Sequence, residues 1–396
     1  MPTAGLFPLP APEVLASTFR DMNAALARWG YHATSTLPYP GGTRQLLFEE
    51  RNFRRYRRGQ RNAHEGSSVP DLYYRHFGRS HPEARRLFET FALERPVTRA
   101  ALAPLLGDEL VDRLIALQIL VATEAGLASR LVGDAVGPRI CFHDWSRVRE
   151  EDKPHRVFLG RCSMRLADRI LEAGGARRFR RSLDLCTGSG VQALLAAARA
   201  DAAFGGDVNE RALAFARANA VANGVHAVEF RRSDLFSAFD GRYDLVTANT
   251  PFLMLNPGSK ALDGYGGHLG MEVELRLFEA LDDHLEPGGL ALIVASSVTI
   301  GGRNLLPNEL ARIFAGRGYR IALTPISSYY DPALHPEYRK HGVDVCTLYV
   351  VELRKEGTEL HIDTRRFQRW SELVYAVNVR ANHLRGWMRE RRSART

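Results

Sequence analysis

Asn249-Thr250-Pro251-Phe252 follows the apolar run YDLVTA at residues 243–248. The Asn249 side-chain oxygen and the Thr250 carbonyl are two acceptors at neighbouring positions, with the flat ring of Phe252 beside them. Such a pair suits a substrate nitrogen that carries two protons. It would hold those protons, aim the lone pair and offset positive charge as it develops on nitrogen. The same four residues also suit an ordinary turn with an aromatic packed behind it, because Asn and Pro are common turn formers.

A second group lies upstream. In DLCTGSG, residues 184–190, Gly188 and Gly190 permit a tight turn and close approach of a ligand to backbone N–H groups. The third glycine of a dinucleotide fingerprint would fall at residue 193, which is alanine, so the glycines alone separate little. Asp207 ends the next apolar run, where a carboxylate can accept from ribose hydroxyls. Asp234 follows the third run, in RRSDLF. Each acid singly could cap a turn or start a helix, but that does not account for three acids at the strand ends of one sheet. His143 and His155 have no second ligand at metal spacing and read as core or surface histidines. Cys141, Cys162, Cys186 and Cys346 form no CxxC pair, which predicts neither a metal site nor a disulfide framework and suits a reduced, cytoplasmic protein.

From residue 181 the chain alternates strand and helix. RSLDLC, AAFGGD, AVEFRRSD, YDLVTAN and GGLALIVASS read as strands, and VQALLAAARA, NERALAFARANAVANG, MEVELRLFEALDDHL and NELARIFAGRG as helices. That rhythm predicts an α/β fold with a mostly parallel sheet covered on both faces. YRIALTPISS and VDVCTLYVVELR have no full helix between them and predict an antiparallel edge hairpin. Upstream, residues 13–30 and 83–93 have helical spacing, and residues 95–132 suggest helix, turn, helix and two small strands, the order of a winged helix. Residues 138–165 read as a connecting segment.

The ordered motifs DLCTGSG, GGDVNERAL, SDLF and NTPF resemble those of class I S-adenosylmethionine-dependent methyltransferases. Within these they resemble the N-P-P-[YF] group (MTS, or HemK-like small domain), which methylates nitrogen in nucleobases or protein glutamine. The stretch GYGGHLGMEVELRLFEALDDHLEPGGLALIV is similar to the loop, helix and strand that follow the signature in that group, and the resemblance covers about residues 160–355. The N-terminal part more loosely resembles a winged-helix-like segment of bacterial members. The resemblance implies a Rossmann-like seven-stranded methyltransferase sheet, the cofactor S-adenosyl-L-methionine and the product S-adenosyl-L-homocysteine. It implies that the stretch Asp184, Cys186, Thr187, Gly188 and Gly190 holds the cofactor, with Asp184 and the backbone around Gly188 at its amino-acid end. Asp207, with Val208 next to it, would take the ribose hydroxyls. Asp234 would meet the adenine amino group, with Leu235 or Phe236 beside the ring, and Asn249 would border cofactor and substrate. Thr250 stands where the family has its first Pro. The carbonyl survives that change and the fixed φ does not, which suits another nitrogen, or even an oxygen, as acceptor.

The chain has 396 residues and is expected to hold a mainly helical N-terminal domain (1–150) covering or docking the site, a methyltransferase domain (151–356) and a basic helical extension (357–396). No apolar run is long enough to span a membrane, and the N-terminus does not read as a signal peptide. The net charge of +9 invites a nucleic-acid reading, sharpened by the arginines between Arg51 and Arg61 and by nine more beyond residue 364. Lys153, Lys260, Lys340 and Lys355 are the only lysines among 54 basic residues, a skew that a GC-rich genome produces without selection for phosphate. The preferred expectation is therefore N-methylation of a planar amine or amide in a small metabolite or natural-product intermediate. The alternatives are an RNA base or protein glutamine as substrate, or a non-catalytic nucleic-acid-binding protein.

Overall fold

Pro12 opens the first helix, α1 (Pro12–Arg28), at a position where its missing N–H costs nothing, and Gly30 at φ 72° ends the segment. The computed structural model describes residues 5–32, 80–92, 95–145, 148, 150–174, 177–254, 264–328 and 336–365. The arginine-rich segment 51–61 and the tail from residue 366 lie outside the described residues. Next come α2 (Pro82–Phe91), α3 (Arg99–Leu106), α4 (Asp108–Ala116) and an antiparallel hairpin, β1 (Leu120–Thr123) with β2 (Gly126–Ser129). Residues 99–129 thus run helix, turn, helix, hairpin. A second hairpin follows, β3 (Leu131–Val136) with β4 (Arg139–Asp144), so the start of the segment 138–165, expected as connector, is a strand. Ile140, Cys141, Phe142 and His143 are all buried there, which gives no alternation for a sequence reading to detect.

After a short 3-10 turn at Glu150–His155, α5 (Arg161–Gly174) leads into the sheet. The order is then β5 (Phe179–Leu185), α6 (Val191–Ala197), β6 (Ala200–Asp207), α7 (Glu210–Ala222), β7 (Val228–Arg232) and β8 (Tyr243–Asn249). It continues with α8 (Glu272–His284), β9 (Leu285–Ile300), β10 (Arg303–Asn304), α9 (Leu306–Phe314), β11 (Tyr319–Ser328), α10 (Pro336–Lys340), β12 (Val343–Lys355) and β13 (His361–Thr364). The nine-stranded sheet runs β13-β11-β12-β9-β8-β5-β6-β7, with β10 beside β9. Strands β7, β6, β5, β8 and β9 are mutually parallel. This is a Rossmann-like sheet, as the strand–helix rhythm predicts. Two details differ from expectation. β12 inserts antiparallel between β9 and β11, and β13 then adds parallel to β11, so the hairpin is not the edge. β13 also falls within the extension expected to be helical from residue 357.

The chain steps outward from β5 through β6 to β7, then returns to place β8 on the other side of β5. Loops at the carboxyl ends of β5 and β8 therefore diverge, and the crevice between them is where open α/β sheets bind ligands. The N-terminal elements share one core with α7: Phe7, Phe19 and Phe142 pack with Phe215 and Ala218. Arg211 on α7 makes a two-pronged contact with the buried Asp144, at 2.8 and 2.6 Å, and donates to the Phe7 carbonyl. His143 is a buried histidine with its nitrogens on the Asp144 carbonyl and Asp134, while His155 is exposed.

Candidate functional site

The turn after β5 is built around left-handed backbone. Cys186, Gly188 and Gly190 have φ of 52°, 53° and 86°. A Cβ on Gly190 would lie 3.0 Å from the Ala216 methyl, so this glycine lets α6 close on α7. A Cβ on Gly188 would meet nothing within 4 Å, so that face of the turn is open space. Asp184, by contrast, is 2% exposed. Its two oxygens accept from Thr187 Oγ1 at 2.6 Å and Thr247 Oγ1 at 2.7 Å, and burial pushes its carboxyl up to about 7. Asp184 thus ties the turn to β8, and it does not present the open carboxylate expected for the amino-acid end of a ligand. The Thr187 hydroxyl is used in the same tie. Burial raises the Cys186 thiol well above its ordinary value.

Strand register lines up the remaining residues. Leu185 stands opposite Ala248 on one side and Gly206 on the other, so Asn249 and Asp207 end the strands flanking the turn. Asp207 Oδ2 accepts from Gly188 N and Oδ1 from Asn209 N, both at 2.9 Å, which leaves lone pairs on both oxygens. Burial raises this carboxyl also. Val208 is 41% exposed beside it. Asp234 is exposed and takes Arg276 at 2.8 Å. Leu235, at φ 50°, is buried in the core, and Phe236 is stacked on His284 with centroids 4.2 Å apart. Phe236 therefore packs inward, and Val208 is the apolar side chain left facing outward.

Across the crevice, Asn249 Nδ2 donates to Ser163 Oγ at 2.8 Å, and Oδ1 is buried with no hydrogen-bond partner. Buried acceptors are almost always satisfied, so an unfilled one at the end of β8 marks a place for a donor. Thr250 is buried, and its hydroxyl donates to the Val294 carbonyl at 2.9 Å. That tether supplies by side chain some of the stiffness that Pro would supply by its ring. Pro251 and Phe252 run against the glycine-rich loop: a Cβ on Gly266 would lie 2.8 Å from both Phe252 Cα and the Pro251 carbonyl. Leu253 and this loop also exchange backbone bonds, Leu253 N to Gly264 O at 2.7 Å and Gly266 N to Leu253 O at 2.8 Å. Behind the loop, the fully buried Glu274 accepts from Ser296 N at 2.7 Å, and burial holds its carboxyl well above the usual range. Ser163, Thr247 and Glu274 carry no motif, and only their contacts connect them to the site.

Residues 163–315 match the family model described as methyltransferase small domain. The matched stretch holds every residue singled out above from Ser163 to Ser296, and the cofactor that the family implies is S-adenosylmethionine. The residues present fit that group: open space over Gly188, spare lone pairs on Asp207, and the outward-facing Val208. The chain is 32% identical over 196 residues to a release factor glutamine methyltransferase of Cereibacter sphaeroides, covering 43% of this chain and 64% of that protein. It is 38% identical over 125 residues to a ribosomal protein uL3 glutamine methyltransferase of Bradyrhizobium diazoefficiens, covering 28% of this chain and 38% of that protein. The match thus spans less than two thirds of either relative. No helix among the described residues is long and apolar enough to cross a membrane.

Proposed function

We propose that the chain transfers a methyl group from S-adenosylmethionine to the amide nitrogen of a glutamine side chain in a protein. Both relatives named above are glutamine methyltransferases, which favours the protein alternative over the small metabolite expected from sequence. The observation that carries the reading is the buried, unpartnered Asn249 Oδ1. An amide nitrogen has a delocalised lone pair, so its two protons must be held for the lone pair to turn toward an electrophile. Asn249 Oδ1 takes one proton and the Thr250 carbonyl the other. When bound, the cofactor supplies an electrophilic methyl group on a sulfonium. Asp207 would accept from the ribose hydroxyls, and Val208 would face the base. The open face of Gly188 admits the amino-acid end, while Asp184 stiffens the turn from behind. Much of the rate then comes from positioning, since the chemistry needs an in-line approach and little else from the protein.

The test uses the enzyme with methyl-labelled S-adenosylmethionine and purified release factor or ribosomal protein uL3 as acceptors. Label should appear on a glutamine side chain by mass spectrometry and vanish with Asn249→Ala. Label on another residue type, or an active Asn249→Ala enzyme, defeats the proposal.

A further inference from the structure

We propose that Tyr265 is a one-residue strand edge on which an extended acceptor peptide docks by backbone pairing, so that its glutamine is presented to Asn249 and Thr250. This rests on the glutamine reading above and goes beyond it to how the peptide is held.

Leu253 and Tyr265 form an isolated parallel bridge. Leu253 N donates to Gly264 O and Gly266 N donates to Leu253 O, so both bonds are made by the residues that flank Tyr265. In a parallel ladder the residue between such a pair turns its own N–H and C=O to the opposite side. Among the described residues none takes either of these two groups of Tyr265. A free donor and acceptor on one strand edge fit one kind of occupant, a second extended backbone. The Tyr265 ring is 53% exposed, more than any other large hydrophobic side chain among the described residues, and offers apolar cover to whatever pairs beside it. The edge is also stiff and close to the acceptors. A Cβ on Gly266 would meet Phe252 Cα and the Pro251 carbonyl, and one on Gly270 would overlap the Phe252 carbonyl, so the loop lies backbone to backbone on the stretch that follows Thr250. Met254 N donates to the buried Tyr338 hydroxyl at 2.8 Å, which pins the far end of that stretch. Tyr265 is thus next to the residue that touches Pro251, and Pro251 is next to Thr250. A paired backbone stands about 4.8 Å from an edge. A glutamine carries its side-chain nitrogen about 5 Å from Cα, over four bonds of about 1.5 Å. Those lengths suit acceptors one residue beyond the contact between Gly266 and Pro251.

The test measures kcat/KM for methylation of acetyl-Ala-Ala-Gln-Ala-Ala-amide and of analogues in which a single backbone amide is replaced by an ester. Each replacement deletes one N–H and keeps every side chain. One of them should lower kcat/KM about fivefold to tenfold, the scale of one backbone hydrogen bond, and those at the adjacent positions should leave it unchanged. On the enzyme side, Tyr265→Pro deletes the outward N–H and should lower kcat/KM for the parent peptide by a similar factor relative to Tyr265→Ala, which keeps both backbone groups. Calorimetry with S-adenosylhomocysteine checks that the two variants hold the cofactor site alike, and the ester series on the wild type needs no variant at all. A flat ester series overturns the edge and leaves the glutamine reading standing, and so does equal kcat/KM in the two Tyr265 variants. A peptide left unlabelled while release factor or ribosomal protein uL3 is labelled on glutamine also overturns the edge alone. No glutamine label on any acceptor defeats both.

Discussion

Asp184 and Asp207 are one strand apart in the sheet and have opposite duties. Asp207 keeps lone pairs for a ligand, so Asp207→Ala should weaken S-adenosylhomocysteine binding at least tenfold by calorimetry. Affinity equal to wild type would remove the ribose role. Asp184 faces only protein, and its carboxyl sits at about 7 in the fold against about 3.9 in an unfolded chain. The folded state therefore binds more protons than the unfolded state between about pH 4 and 7, and this residue's contribution to stability falls as pH rises through that window. Asp184→Asn removes the titration. Urea denaturation at pH 5 and pH 8 should show the variant losing less stability over that span than wild type, by about 2 kcal/mol. An identical loss would mean that the carboxyl is not raised.

The two glycines of the turn after β5 separate support from binding. Gly190→Ala pushes a methyl to 3.0 Å from Ala216 at φ 86°, so it should cost about 2–4 kcal/mol of stability. Gly188→Ala meets no protein atom and should cost only about 1 kcal/mol for its left-handed backbone. The new methyl stands in the space assigned to the cofactor, so S-adenosylhomocysteine affinity should fall much more than the melting temperature. A second element-level device joins α7 to β4. Asn219 exchanges bonds with Phe142 N and O, and Asn223 with Ile140 N and O, so side chains satisfy the outer edge of a strand. Asn219 alone also donates to the Ser189 carbonyl in the cofactor turn, at 2.9 Å. Both Asn→Ala variants should lose about 1–3 kcal/mol in denaturant melts, and only Asn219→Ala should also weaken S-adenosylhomocysteine. Equal binding by the two would show that the Ser189 contact is idle.

At the scale of the molecule, the described residues between 5 and 145 share a core with α7. Phe19 packs on both Phe142 of β4 and Phe215 of α7, and the Arg211–Asp144 pair is buried across the same junction. Breaking that pair from one side would strand a charge, so Asp144→Ala should cost about 3–5 kcal/mol. Phe215→Ala, which opens a cavity between the N-terminal elements and α7, should cost a similar amount. Both parts should unfold in one transition seen alike by tryptophan fluorescence and circular dichroism. Two separated transitions would mean that the shared core couples them weakly.

Much was legible in the chain itself. Alternating strand and helix from residue 181 determined a mostly parallel α/β sheet, because local periodicity and turn chemistry are written in adjacent residues, and the methyltransferase reading came from the resemblance of the ordered motifs. β4 was missed because a strand buried on both faces shows no alternation, and β13 because four short polar-flanked residues become a strand only when β11 offers an edge. Tertiary structure alone decided what the side chains do. Asp184 looked like a ligand-binding acid until Thr187 and Thr247 were found on its oxygens, and Phe236 looked like a stacking ring until His284 was found on its face. Ser163 and Asn249 are 86 positions apart, and no spacing along the chain records that the fold brings a hydroxyl to that amide and leaves its oxygen open.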